Sequence, residues 1–288
     1  MKAIIFGAFG QDGYYLSELL SGKGIEVVKI GRVKKEGDTD IASFGAVLQL
    51  IKHVKPDFVF HLAANSTTRH DAMFENQKII CDGTLNILEA IRISSPYTKV
   101  FISGSGLQFV NNAVPIKESD AFEARDPYSV SRIHSVYAAR YFRKLGLKVY
   151  VGYFFNHDSP LRSERHIAKK ITEYVRKLSH GSNDILEIGD TSVLKEWGFA
   201  GDIVKGVFTL VNQEAVFEAN IGTGKGYAIS DWLEICFRSI GKDWRNYVHT
   251  KEEFKSEYKS LVSDSSLMMS LGWKPTVDIE VLSTMMMT

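Results

Sequence analysis

Residues Lys2-Ala3-Ile4-Ile5-Phe6-Gly7-Ala8-Phe9-Gly10-Gln11-Asp12-Gly13 decide the fold. The run Lys2–Phe6 is short and mostly apolar, as a buried strand is. Glycine then recurs at every third position, leading into an amphipathic stretch over Gln11–Ser21 that reads as a helix. Glycine permits a tight turn and lets backbone N–H groups approach a pyrophosphate at the helix N-terminus, where the helix dipole favours negative charge. Glycines at this spacing also occur in ordinary turns. Directly after the first strand of a strand–helix–strand unit, the pattern predicts dinucleotide binding by Gly7, Phe9, Gly10, Gln11, Asp12 and Gly13.

Outward from this stretch, Glu26–Ile30, Asp57–Leu62, Lys99–Ser103 and Lys148–Phe154 read as further strands, and Ser43–His53, Asn76–Ile93 and Asp126–Leu145 as helices. Strands alternating with helices of ten or more residues predict a Rossmann-type, doubly wound parallel α/β sheet. Residues 1–155 form the dinucleotide-binding domain in this reading. Residues 156–288 form mainly a smaller substrate lobe, with a helix at Ala200–Val211 and a strand at Val216–Asn220 (within 200–220) returning to the sheet.

The 288 residues carry 35 basic and 34 acidic side chains, a formal charge of +1, which excludes a strongly basic nucleic-acid binder. Cys81 and Cys236 stand far apart and form no metal-binding spacing, against a disulfide scaffold or a zinc ribbon. No apolar run nears the ~18 residues of a membrane span, and the start lacks the layout of a signal peptide. The expectation is a cytoplasmic protein with no membrane, nucleic-acid or metal partner. His61, His134 and His157 read as structural, and Trp197 and Trp273 as core residues.

The second strand ends Lys29-Ile30-Gly31-Arg32, where an acid would favour NAD. Arg32 can instead pair with a 2′-phosphate, with Lys34 and Lys35 close behind, so NADP(H) is predicted against the alternative of a solvated basic turn. Further on, Asp126-Pro127 has the form of a helix cap followed by proline at the first helical position, which puts Tyr128 and Arg132 on one face. A cation one turn away favours an ionised phenol and makes tyrosine a usable acid or base. Ser105 stands at the carboxyl end of the fourth strand, where parallel sheets hold ligands. On spacing alone, such a tyrosine–cation pair more often decorates a surface.

The glycine loop, His61-Leu62-Ala63-Ala64, Asp82-Gly83-Thr84-Leu85-Asn86, the serine strand and the Tyr128 helix together resemble the extended short-chain dehydrogenase/reductase family. The resemblance covers nearly the whole chain. It is strongest to the GDP-mannose 4,6-dehydratase branch, through Gly10-Gln11-Asp12-Gly13, Phe155-Asn156-His157-Asp158-Ser159-Pro160, Glu196-Trp197-Gly198 and Leu271-Gly272-Trp273-Lys274-Pro275. It implies that Asp40, Ile41, Leu62, Ala63 and Ala64 join the cofactor site, and that Ser105, Tyr128 and Arg132 form the catalytic group. Asn156, Arg162, Lys195 and Glu257 would meet a nucleotide-sugar substrate, GDP-linked by preference. Leu107 stands where dehydratases carry the glutamate that removes the C5 proton, Phe109 where a tyrosine is usual, Arg132 where a lysine is usual and Phe254 where an arginine is usual.

A reductase needs no C5 base, so the expected activity is NADP(H)-dependent reduction of a nucleotide-linked 4-keto-6-deoxyhexose. A 4,6-dehydratase or epimerase, and a non-catalytic nucleotide-sugar binder, are the alternatives. The resemblance also implies a homodimer that pairs the helices Asn76–Ile93 and Asp126–Leu145, with Tyr137, Tyr141 and Phe142 in contact.

Overall fold

Apolar residues on both sides of every central strand dictate a sheet covered on both faces. The computed structural model describes residues 1–32, 39–182, 184–251, 254 and 256–288. Strands β1 (Lys2–Phe6), β2 (Glu26–Ile30), β3 (Phe58–His61), β4 (Lys99–Ser105), β5 (Val149–Phe154) and a sixth strand, Glu218–Ile221, run parallel in the spatial order sixth-β5-β4-β3-β1-β2. Because side chains alternate along a strand, Ile4, Val59, Val100, Ile102 and Val151 enter one core. Their neighbours Ala3, Ile5, Phe60, Phe101 and Tyr150 enter the other. This is the predicted Rossmann-type, doubly wound sheet.

Helices α1 (Gln11–Gly22) and Ala200–Val211 cover the second core through Leu16, Leu20, Ile203 and Val207. The first core lies under α2 (Phe44–Val54), α4 (Gly83–Ser94) and α5 (Pro127–Lys144). The helix expected over Asn76–Ile93 forms as one continuous helical run that starts earlier, with α3 (Met73–Asn76) leading through a widened π turn, Gln77–Asp82, into α4. At Gly83 a side chain would meet Ile41 at 2.9 Å, so the wide turn ends where two segments pack without room for a Cβ. On α5 the buried positions Tyr128, Arg132, Ser135, Ala139 and Phe142 follow helical spacing. Phe142 therefore packs into the core and leaves only Tyr137 and Tyr141 exposed of the three residues expected on an outer face. His134 also lies on the exposed side, so it has no structural role in the core.

A third core gathers the helices Ile167–Ser179, Ile229–Arg238 and Ile279–Met287 around Trp197 and Trp232, stacked with ring centres 4.5 Å apart. Buried Glu196 ties this lobe to the sheet: it accepts hydrogen bonds from Ser263 N (2.7 Å) and Oγ (2.6 Å) and from the Thr223 and Gly224 amides. The return to the sheet extends beyond the stretch expected from sequence, since Met268 and Trp273 also pack beneath it. Among the described residues no helix is long and apolar enough to cross a membrane.

Candidate active site

The glycine loop is a cradle with no room for a side chain at two of its three glycines. Gly7 has φ +89°, and a Cβ there would lie 2.7 Å from the Ala63 amide nitrogen. A Cβ at Gly13 would lie 2.3 Å from the Gly7 carbonyl oxygen. The loop opens on a cleft of about 650 Å³ at the carboxyl ends of the strands, lined by Gly7, Phe9, Gly10, Gln11, Asp12, Gly13, Leu62 and Ala64. The N–H groups of the first turn of α1 lack partners within their helix, so the cradle is a ready anion site.

Other cofactor candidates stand further off. Arg32 is three-quarters exposed, 3.4 Å from Glu75, which in turn accepts from Asn65 Nδ2 at 2.6 Å; it does not line the cleft. Lys34 and Lys35 lie outside the described residues. Asp40 accepts from the Ala42 amide (3.0 Å), and the Ile41 carbonyl accepts from Asn86 Nδ2 (2.9 Å), so both brace the entry to α2 and neither reaches the cleft.

Ser105, Tyr128 and Arg132 line the same cleft. Asp126 accepts from the amides of Tyr128 (2.8 Å) and Ser129 (2.9 Å), fixing the start of α5 and with it the Tyr128–Arg132 spacing. The Arg132 guanidinium lies 5.0 Å from the centre of the Tyr128 ring, and its Nη1 donates to the Ser103 carbonyl and to Ser103 Oγ (2.9 Å). His61 is fully buried behind it. Burial, with the Arg132 charge adding, pulls its imidazole down to about 3, so it is neutral.

Leu107 also forms part of the cleft wall, and its amide donates to Ser105 Oγ at 3.2 Å. Phe109, which stands where a tyrosine is usual, is buried edge-on to Tyr153 and Phe122, with ring centres at 4.8 and 5.0 Å. It touches only a smaller cleft of about 270 Å³ beyond Leu107 and Leu261. Glu257 lines that smaller cleft too and accepts from Thr68 Oγ1 at 2.6 Å; it is not on the larger one. Phe254 packs its ring where a side chain on Gly189 would sit, 2.3 Å away.

Asn156 and Arg162 also line the large cleft. Asn156 Oδ1 is buried with no partner among the described residues, which leaves an acceptor for a ligand. Arg162 lies 3.2 Å from Asp158. Lys195 is buried over the Trp197 ring at 4.4 Å and does not line the cleft. Burial lowers its ammonium to about 8, against the pull of Asp158 and with the push of Arg162. Sequence reasoning missed Arg165 and His166, which join Arg162 on this wall. Burial and the Arg162 charge lower His166 to about 4.

His157 is more than a core residue. Its Nε2 lies 2.9 Å from Asp12 Oδ1, Gln11 Nε2 donates to its carbonyl (3.2 Å), and Ser159 Oγ donates to Gln11 Oε1 (2.9 Å). The side chains of Gln11 and Asp12 thus join the cradle to the segment bearing Asn156 and Arg162. Burial alone would lower His157, but Asp12 outweighs it and the net shift is upward; burial would raise Asp12, but His157 outweighs it and the net shift is downward. A raised histidine stabilises the fold below its unfolded value and loses that contribution as pH climbs through its folded value. A lowered carboxyl stabilises above its unfolded value and loses it as pH falls through the folded one. The pair therefore stabilises between the two folded values, and Asp12→Asn should flatten this part of the pH profile of the thermal midpoint. Identical profiles for the two proteins would count against a charged pair.

Comparison with known proteins bears out the resemblance. Residues 4–286 match the family described as GDP-mannose 4,6 dehydratase. GDP-mannose 4,6 dehydratase 2 of Arabidopsis thaliana is 32% identical over 99% of this chain and 85% of its own length. The GDP-mannose 4,6-dehydratase of Vibrio cholerae is 29% identical over 97% and 91%. RMD from Pseudomonas aeruginosa complexed with NADPH shares the fold at a TM-score of 0.85, with 20% identity over 99% of this chain and 97% of that one. UDP-glucose 4-epimerase from Thermotoga maritima with UDP-glucose does so at 0.86, with 20% identity over 100% and 97%. With the match running almost from end to end and the glycine cradle, Ser105 and Tyr128 on one cleft, the chain belongs to the GDP-mannose 4,6-dehydratase family, a nucleotide-sugar-processing branch of the extended short-chain dehydrogenases/reductases.

Proposed function

We propose that the protein is an NADP(H)-dependent oxidoreductase of a nucleotide-diphosphate sugar, GDP-linked, that reduces a 4-keto-6-deoxyhexose. The observation that carries the reading is that Tyr128, Ser105 and the glycine cradle line one cleft, with Arg132 beside the tyrosine. The cradle, packed so closely that neither Gly7 nor Gly13 has room for a Cβ, fits a dinucleotide pyrophosphate held by backbone N–H groups. When bound, the nicotinamide supplies hydride transfer at a sugar carbon. Tyr128 donates the proton to the developing alkoxide, Ser105 Oγ holds that oxygen, and the Arg132 guanidinium offsets the charge left on the phenol. Asn156 and Arg162 meet the diphosphate, with Lys195 behind them.

Leu107 favours reduction over dehydration. Among the described residues the only carboxylate lining the large cleft is Asp12, already engaged by His157, so no free carboxylate takes the place of the dehydratase glutamate there. The relatives weigh the other way: those named GDP-mannose 4,6-dehydratase support dehydration as the second reading, and they fit it better than reduction. Offering the protein GDP-mannose and, separately, a GDP-linked 4-keto-6-deoxyhexose separates the two by product mass.

The NADP(H) preference rests on Arg32. Its charge at the end of β2 suits a 2′-phosphate, and a hydrogen bond to a charged group contributes about 1.5–3 kcal/mol. Glu75 beside it takes back part of that. Fluorescence titration should show NADPH bound at least several-fold more tightly than NADH, and Arg32→Ala should erase the difference. Equal affinities in the unmodified protein would remove NADP(H) from the proposal.

Assembly as a homodimer through α4 and α5 is part of the same proposal. Leu85, Ile93, Val130, Tyr137 and Tyr141 expose apolar surface there, and light scattering reads the mass. The buried free thiols Cys81 and Cys236 suit a reducing compartment such as the cytoplasm.

A further inference from the structure

We propose that Ser103 is a positioning residue that anchors Arg132 against Tyr128, and that Ser103 and Arg132 work as a matched pair. The inference rests on the reading of Tyr128 as the proton donor.

An arginine brings to this position a flat guanidinium with five donors, where an ammonium is a compact point charge. Arg132 is 3% exposed, so each of its N–H groups needs a partner or loses its hydration for nothing. Ser103 meets that need on one side: Nη1 reaches both its carbonyl and, at 2.9 Å, its Oγ. The direction of the second bond is set from behind. Ser103 Oγ gives its own proton to the His61 carbonyl at 3.1 Å, which leaves only lone pairs for the guanidinium. The neutral His61 ring adds no competing charge. Nε is already buried without a partner among the described residues, so the guanidinium has little polar contact to spare.

The other constraint is the Tyr128 ring at 5.0 Å, a distance at which cation–π attraction operates. Two supports, strand β4 on one side and the ring on the other, fix the charge next to the phenol. Without the Ser103 hydroxyl, the carbonyl alone remains and the plane of the guanidinium is free to turn about that one bond. A lysine at position 132 has no plane to hold and would draw little from Ser103 Oγ.

The test is a double-mutant cycle of Ser103→Ala and Arg132→Lys, with Ser103→Thr as the conservative variant. Its readouts are kcat and KM for the nucleotide sugar that the protein converts, and the thermal midpoint of each protein without ligands. Ser103→Ala is expected to lower kcat about tenfold while KM stays within about twofold, the loss corresponding to one hydrogen bond to a charged group. Ser103→Thr, which keeps the hydroxyl, should recover most of that loss. In the Arg132→Lys background Ser103→Ala should change kcat less than about twofold. An equal fall in both backgrounds, or no fall in either, would overturn the pairing. If the unmodified protein converts no nucleotide sugar, the proposed function fails and the midpoints still judge the anchor. A drop on Ser103→Ala confined to the arginine background supports it, and equal drops in both backgrounds refute it.

Discussion

Tyr128→Phe should lower turnover by about 10²–10⁴-fold, the range that loss of a positioned acid or base costs, while leaving cofactor affinity and the thermal midpoint close to their original values. The separation follows from the geometry. Phenylalanine keeps the ring beneath the Arg132 guanidinium, and the start of α5 is fixed by Asp126 accepting from backbone amides, which the substitution does not touch. Only the hydroxyl is lost. Steady-state rates alongside fluorescence titration of the cofactor and a melting curve check the three quantities together. A fall in rate matched by a collapse of the midpoint would make Tyr128 a packing residue and not a proton donor.

Gly13→Ala should reduce cofactor affinity at least about 100-fold, equivalent to roughly 2.7 kcal/mol. The added Cβ would lie 2.3 Å from the Gly7 carbonyl oxygen and 2.5 Å from Ala8 Cα. Both are backbone atoms and neither can swing aside, so α1 must lift from the loop whose N–H groups form the cradle. Gly45→Ala in the first turn of α2 is the control: nothing lies within 4 Å of its Cβ, and alanine loses less backbone freedom than glycine on entering a helix. That variant should melt slightly higher and bind as before. Equal affinity in Gly13→Ala and the unmodified protein would mean that the loop does not contact the cofactor.

Much of this architecture was legible in the chain because it is periodic. β1, β2 and the helix Ala200–Val211 fall where apolar spacing puts them. Where the expectation stopped short, a long-range partner decided. β4 was expected to end at Ser103, before Gly104, yet it continues to Ser105 because both residues pair with Tyr153 and Phe154 of β5, and the space beside Gly104 is filled by the Tyr153 ring. The cluster of Ser105, Tyr128 and Arg132 could be named from motif and resemblance. The roles of Ser103 and His157 could not, since one depends on a guanidinium 29 residues away and the other on a carboxylate 145 residues away. Lys195 and Glu257, placed by resemblance at the substrate, sit beside the large cleft and not on its wall, because the lobe packs Lys195 over Trp197 and draws Glu257 to Thr68.

The measurement that bears most directly on the proposed chemistry is a paired incubation followed by mass spectrometry. One reaction holds GDP-mannose with NADP⁺, the other a GDP-linked 4-keto-6-deoxyhexose with NADPH. With Leu107 in the wall and no free carboxylate facing the sugar, the first should give no dehydrated product at a meaningful rate, while the second should gain two mass units as the keto group is reduced. Dehydration of GDP-mannose at an ordinary enzymatic rate would contradict the account, and silence in both reactions with cofactor bound would make the protein a nucleotide-sugar binder without turnover.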